Sequence, residues 1–165
     1  MVMEFEELLK PLAAACGIDR LEPDESHMVH LGAKGTALTI VGDPETRSVV
    51  LFSELGELPV EGREAFYEQA LKANWLFQGG GGATLAINPE SDALALNRAL
   101  PMDLLDGERF VEIVREFLFV LTRWRQLARD WRGALKEGAA RGADAAPAAP
   151  EDPFIALRND QMIRI

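Results

Sequence analysis

The side chains that most often bind metals or carry out catalysis are few in this chain. His27 and His30 are its only histidines, and Cys16 is its only cysteine. On a strand, residues three apart point to opposite faces of the sheet, so the two histidines cannot share a metal ion. Neither a cysteine pair nor acidic side chains at ligand spacing complete a site. We therefore predict that the protein binds no metal and needs no cofactor.

Catalytic nucleophiles and phosphate-binding loops are also poorly supported. The four glycines Gly79–Gly82 precede a strand-like segment and lack the Lys-Ser/Thr pair of a phosphate loop. They are predicted to form a flexible turn. The serines lie outside any nucleophile-elbow motif, and Cys16 ends an alanine-rich helical segment in which it is predicted to be buried. The sequence therefore predicts no catalytic residues and a protein that is not an enzyme.

The formal net charge is −10, and it is unevenly distributed. Residues 1–104 contain 7 Lys/Arg and 17 Asp/Glu, whereas residues 105–165 contain 10 of each. Because an acidic surface repels phosphate groups, neither nucleic acid nor an anionic membrane is an expected partner. No apolar run is long enough to span a membrane, and acids stand where a signal peptide would carry Lys or Arg. We expect a cytoplasmic protein.

The hydrophobic pattern predicts three helices and five strands in the order α-β-β-β-α-β-β-α. Apolar residues at helical spacing predict a first helix that stops at Gly17, a second that begins after Pro59 and a third that begins after Asp106. Short apolar runs between turn-forming residues predict a three-stranded meander over residues 27–55 and a hairpin over residues 83–100. This order predicts a two-layer α+β sandwich with an antiparallel sheet.

Two of the predicted strands are apolar on both faces. Residues 49–52 are Val, Val, Leu and Phe, and residues 36–41 are nearly as apolar. The helices of a two-layer sandwich cover one face of the sheet, so the other face must meet water, a second subunit or a bound polypeptide. The sequence therefore predicts an interaction surface on the sheet, and the alternative is a sheet that is covered more completely.

Several segments in the second half of the chain occur in a familiar order. They are Leu-Lys-Ala-Asn-Trp at 71–75, the four glycines, Leu-Ala-Ile-Asn at 85–88, Leu-Ala-Leu at 94–96, Leu-Pro at 100–101, and a long amphipathic helix that reaches Trp124 and Trp131. From about Phe5 to Arg132 the sequence resembles the Tir-chaperone-like family of class I type III secretion chaperones. The resemblance implies a small acidic homodimer that holds the N-terminal segment of a secreted effector soluble and competent for secretion, without ATP.

This function requires two surfaces. We predict client binding by apolar residues of the first three strands, and the pattern leaves open which face of the sheet binds. These residues are Val29, Leu31, Leu38, Ile40, Val50 and Phe52. We predict a homodimer contact made by the second helix, the later strands and the third helix. Its residues are Phe66, Leu94, Leu96 and Phe119. The alternative function is a regulatory protein-binding module, such as an anti-activator, on the same fold.

The chain is predicted to divide into a chaperone-like domain, residues 1–136, and an extension, residues 137–165. Gly, Ala and Pro dominate residues 138–153, a composition that predicts a flexible linker. Large apolar residues return at 154–157 and 162–165. Two interpretations stay open for this apolar tail: a terminus without fixed structure, or a segment that occupies the client site and competes with clients through its high effective concentration.

Overall fold

The computed structural model describes residues 4–33, 36–56, 58 and 60–140. Its three helices are α1 (Phe5–Cys16), α2 (Arg63–Asn74) and α3 (Gly107–Ala140). Its five strands are β1 (Met28–Ala33), β2 (Thr36–Asp43), β3 (Ser48–Glu54), β4 (Thr84–Ile87) and β5 (Leu94–Pro101). Short 3₁₀ turns follow α2 and β5 at Trp75–Phe77 and Met102–Leu104. The predicted element order and the α+β fold class are confirmed.

All five strands pair antiparallel, in the spatial order β1-β2-β3-β5-β4. The first three form the predicted meander. The hairpin of β4 and β5 then joins the meander through β5, so β4 becomes an edge strand and β1 is the other edge. The two edges of the sheet are therefore formed by the first and fourth strands of the chain.

The helices cover one face of the sheet, which we call the inner face. Leu38, Ile40, Val49, Leu51 and Leu96 point to this face, and each is at most 2% exposed. At Gly42 on β2, a Cβ atom would lie 2.5 Å from the ring of Phe5, so α1 approaches the sheet closely enough to require glycine there. This close packing joins the N-terminal helix to the centre of the sheet.

An aromatic cluster joins α2 to α3. The ring of Phe66 makes edge-on contacts with Trp124 and Trp131, with centroid distances of 6.1 and 5.4 Å. The indole nitrogen of Trp124 donates a hydrogen bond of 3.0 Å to the carbonyl of Gly79. These contacts hold both α2 and the glycine turn against α3, so the turn predicted from four glycines is anchored at its first residue.

Arg125 fixes α3 to one end of the sheet. Its guanidinium donates hydrogen bonds to Thr36 Oγ1 (2.7 Å) and to the carbonyl of Glu54 (2.5 Å), where β2 begins and β3 ends. Partial burial lowers the pKa of Arg125 from its ordinary value, and the charge of Arg129 lowers it further. Beyond this contact α3 continues past the end of the sheet.

The structure agrees with one local prediction, at the start of α3, and corrects two others. The helix α3 begins after Asp106 as predicted, and Asp106 caps it, because its carboxylate accepts a hydrogen bond of 2.8 Å from the backbone of Arg109. The prediction that Cys16 is buried was wrong: it is exposed at the last residue of α1, beyond the buried stripe that ends at Ala13. The helix α3 extends to Ala140, past the predicted start of the linker. The rest of the linker and the apolar tail lie outside the described residues.

Candidate polypeptide-binding face and subunit contact

The outer face of the sheet, opposite the helices, carries a row of apolar side chains across four strands. Strand register aligns Met28 with Val41, Val41 with Val50, and Val50 with Ala99. The first three are partly buried and Ala99 is exposed. We call these four residues the outer apolar row. Adjacent strands lie about 4.8 Å apart, so the row extends about 14 Å across the sheet.

Phe52 extends this row along β3. It is partly buried, and its cross-strand neighbours on the outer face are Thr39 and Asn97. A further step along the strands pairs Glu54 with Ala95, and Ala95 with Ala86 of β4. The outer face therefore presents an apolar row, a single aromatic ring beside it, and then small residues around one carboxylate.

Glu54 is held in a fixed orientation at this end of the face. Its Oε1 accepts hydrogen bonds from Ser91 Oγ (2.6 Å) and Asn88 Nδ2 (2.9 Å) of the β4–β5 turn. These two bonds, that of Ser91 first, lower the pKa of Glu54 from its ordinary value. The carboxylate thus stays charged and tied to the turn at neutral pH.

The six residues predicted to bind the client do not share one face. Val29, Leu38 and Ile40 are at most 3% exposed and belong to the core beneath the helices. Leu31 also points to the inner face and is partly buried. Val50 and Phe52 point outward, on the face that no described helix covers. A client can reach the last two without displacing a helix.

The two edges of the sheet differ in how their backbone groups are satisfied. At the β4 edge, the Asn74 side chain donates to the carbonyl of Leu85 (2.9 Å) and accepts from its amide (2.8 Å). This double contact occupies the middle of β4 as a neighbouring strand would. The side chain of an α2 residue therefore blocks strand addition at this edge.

Within the described part of the chain, the β1 edge is open beyond its first residue. Asp24 accepts a hydrogen bond from the amide of Met28 through its carboxylate and donates to the carbonyl of Met28 through its own amide. Because antiparallel pairing alternates, the backbone groups of His30 and Gly32 point away from β2 like those of Met28. They face the sheet edge and are positioned to pair with an added strand.

A second apolar surface lies at the C-terminal end of α2. Leu71, Trp75, Leu76 and Phe77 are between 55 and 72% exposed, and we call them the α2 apolar patch. Ile87, on the neighbouring strand β4, is also exposed. Apolar side chains clustered in this way usually mark a contact with another polypeptide.

The backbone of this patch has an unusual conformation. Leu76 and Phe77 have φ values of 53° and 56°, in the left-handed region that residues with a Cβ atom rarely adopt. Each such residue costs roughly 1–2 kcal/mol. The conformation turns two large apolar side chains away from the core immediately before the glycine turn.

Three of the four residues predicted for the dimer contact belong to the core of one subunit. Phe66, Leu94 and Leu96 are at most 3% exposed. Phe119 is 62% exposed, and the guanidinium of Arg123 lies 5.7 Å from its ring centroid. The α2 apolar patch was missed by sequence reasoning. The available signal was three consecutive bulky apolar residues at 75–77, which cannot all face the core.

No group of histidine, cysteine and acidic side chains that could hold a metal ion occurs among the described residues. Within the same residues, every helix is too short or too polar to cross a membrane. The chemistry visible in this part of the chain is apolar contact and backbone pairing.

The chain belongs to the Tir chaperone protein (CesT) family, whose model matches residues 7–125. A search of curated proteins gives no match. The matched residues include the whole sheet, α1 from its first turn, α2 and the first half of α3. They therefore contain the outer apolar row, the β1 edge and the α2 apolar patch.

Solved structures with the same fold have low sequence identity. A chain of the HopA1–SchA chaperone–effector complex has a TM-score of 0.61 and 17% identity, over 76% of this chain and 93% of that one. The Yersinia pestis type III secretion chaperone SycH, in complex with a fragment of YscM2, has a TM-score of 0.57 and 16% identity, over 72% of this chain and 98% of that one. YbjN from E. coli has a TM-score of 0.60 and 14% identity, over 80% of this chain and 96% of that one. These likenesses establish the fold.

Proposed function

We propose that this protein is a type III secretion chaperone, which binds the N-terminal segment of a secreted effector and keeps it soluble and competent for secretion. The observation that carries the proposal is the outer face of the sheet, where an apolar row lies uncovered by any described helix beside a strand edge with outward backbone groups. Membership of the Tir chaperone protein family supports the same function.

The two parts of this surface have different roles in binding. Val50, Phe52 and the rest of the outer apolar row bury apolar side chains of the client, at about 25 cal/mol per Å² of apolar area removed from water. The backbone groups of His30 and Gly32 pair with an extended client segment at the β1 edge. Ordering the client offsets part of this gain, so a long contact is needed for tight binding.

The same proposal includes a homodimer. The α2 apolar patch, with Ile87 and Phe119, is the surface that a second copy covers. In a two-fold contact the patch meets its own equivalent, so large apolar side chains on both subunits are buried together. The proposed dimer contact therefore consists of exposed residues on α2 and β4, and no longer of the core residues Phe66, Leu94 and Leu96.

Binding of this kind requires no catalytic residue, and we propose that the protein is not an enzyme. It acts in the cytoplasm, where effectors are synthesised before export. Since client recognition uses apolar contact and backbone pairing, neither nucleotide nor metal takes part.

Binding to overlapping peptides that tile the N-terminal segments of the organism's type III-secreted proteins tests this function. We expect at least one segment to bind the full chain, and Val50→Asp and Phe52→Asp each to weaken that binding at least tenfold. Val60→Asp, a change at a side chain that is 84% exposed, is the matched control. Absence of binding to every segment, or full binding by both outer-face variants, would contradict the proposal.

A further inference from the structure

The same polypeptide carries a candidate ligand for the outer apolar row. Six of the last twelve residues of the chain are large and apolar, and they follow a Gly-, Ala- and Pro-rich stretch that the sequence predicts to be a flexible linker. They are Phe154, Ile155, Leu157, Met162, Ile163 and Ile165. An apolar segment of this kind is expected to bury itself against an available apolar surface.

The path of α3 brings this segment to the correct end of the sheet. Arg125 contacts Thr36 and the carbonyl of Glu54, so α3 passes the end of the sheet where β2 begins and β3 ends. Beyond this contact α3 still packs on α2 through Trp131 and Phe66. From Arg125, 15 further helical residues to Ala140 add about 22 Å. The end of α3 thus lies beyond the end of the sheet at which Glu54 of the outer face is found.

The linker is long enough for the return. Thirteen residues lie between Ala140 and Phe154, so the two positions are 14 chain steps apart. Fully extended they span at most about 46 Å, and as a flexible chain they have a typical end-to-end distance of about 20 Å. The return requires about 22 Å along α3 and about 13 Å along the strands from Glu54 to Val50. Together these make about 35 Å, so the linker reaches the outer apolar row when it is largely extended.

We propose that residues 154–165 occupy the outer apolar row as an internal ligand and compete with the client for it. The inference rests on the proposed function, because it names a regulator of the same surface. A tether of this length gives an effective concentration of about 1 mM. A segment with an intrinsic Kd of about 100 μM then fills about nine sites in ten and weakens client binding about tenfold.

Thiol labelling of the full-length protein tests occupancy without any client. The reporter is Ala99→Cys, an exposed position in the outer apolar row, in a Cys16→Ser background. Phe154→Asp with Leu157→Asp removes apolar contacts from the tail and adds two charges. Ala148→Asp with Ala149→Asp adds the same charges within the linker and is the matched control.

We expect the tail variant to accelerate maleimide labelling at position 99 about tenfold and the linker variant to leave the rate unchanged. In chains that retain Cys16, exposed at the end of α1, labelling of that thiol is the control for reagent reactivity and keeps its rate. The circular dichroism spectrum of each variant is the control for unfolding. Equal labelling rates at position 99 in the two variants overturn the inference.

Client affinity separates this inference from the proposed function. If the tail variant labels faster and also binds its client about tenfold more tightly, both hold. Faster labelling with unchanged client affinity supports occupancy by the tail and contradicts the outer face as the client site. If the tail variant labels at an unchanged rate and Val50→Asp still loses client binding, the internal ligand is overturned and the proposed function stands.

Discussion

Individual residues in this fold are constrained by the close approach of α1 to the sheet. Gly42 illustrates this, because a Cβ atom there would overlap the ring of Phe5. We expect Gly42→Ala to lower the free energy of unfolding by about 1–3 kcal/mol, as overpacking does. Urea denaturation measures it. Gly32→Ala is the control, since its Cβ atom would meet its nearest neighbour at 4.0 Å. Equal stability of the two variants would argue against this packing.

Glu54 connects the outer face to the β4–β5 turn, and its ionisation contributes to pH-dependent stability. Its pKa is lower in the folded chain, so its stabilising contribution is complete above the unfolded pKa and is lost as pH falls through the folded pKa. We expect Glu54→Gln to lose less stability than the wild type between neutral and acidic pH. Thermal denaturation across this range measures it, with Glu64→Gln on α2 as control. An unchanged acid profile would contradict the assigned hydrogen bonds.

At the scale of elements, the Asn74 side chain closes the β4 edge. Asn74→Ala leaves the amide and carbonyl of Leu85 without this partner, so we expect a loss of about 1–3 kcal/mol in the free energy of unfolding. Lys72→Ala, at an exposed surface ion pair two residues earlier in α2, is expected to cost at most about 1 kcal/mol. Similar losses in the two variants would show that the edge contact contributes nothing special.

Sequence patterns predicted the helices and strands well, but they did not predict which side chains of each strand point towards the helices. Alternation in β3 separates Val49 and Leu51 from Val50 and Phe52, but all four are apolar, so the pattern could not say which pair meets the helices. That choice depends on where α1 and α3 pack. The insertion of β5 beside β3 is likewise a tertiary event, since a local hairpin pattern carries no information about its partner across the sheet.

The candidate surfaces were only partly predictable for the same reason. Phe66 looked like a contact residue on α2, yet the tryptophans of α3 bury it completely. Leu76 and Phe77 are exposed because their left-handed backbone directs them outward, and no sequence pattern shows that conformation. Whether an apolar residue is exposed here depends on helix packing and local backbone conformation, which the hydrophobic pattern of the sequence does not show.

At the scale of the whole molecule, the α2 apolar patch is expected to hold two copies together. Leu71→Asp and Trp75→Asp place charges in that contact, so we expect folded monomers near 18 kDa at micromolar concentration, against a wild-type dimer. Light scattering measures the mass. The matched control is Leu104→Asp, at an equally exposed leucine outside the patch, which should stay dimeric. A monomeric wild type, or dimeric patch variants, would contradict this surface.

Phe66→Ala separates assembly from folding in the same experiment. Because Phe66 is completely buried between α2 and α3, its loss is expected to cost about 3–5 kcal/mol of stability within one subunit. Circular dichroism should therefore detect a larger fall in unfolding temperature for Phe66→Ala than for Leu71→Asp, which loses only the stabilisation that comes from the second copy.

The central claim is that a client lies on the outer face of the sheet, and photo-crosslinking from that face tests it most directly. With benzoylphenylalanine in place of Phe52, irradiation of the complex with a bound effector segment is predicted to give a covalent adduct with that segment. The same group in place of Phe119 is predicted to crosslink two copies of the chain instead. A segment that stays bound yet forms no adduct from position 52 would contradict the account.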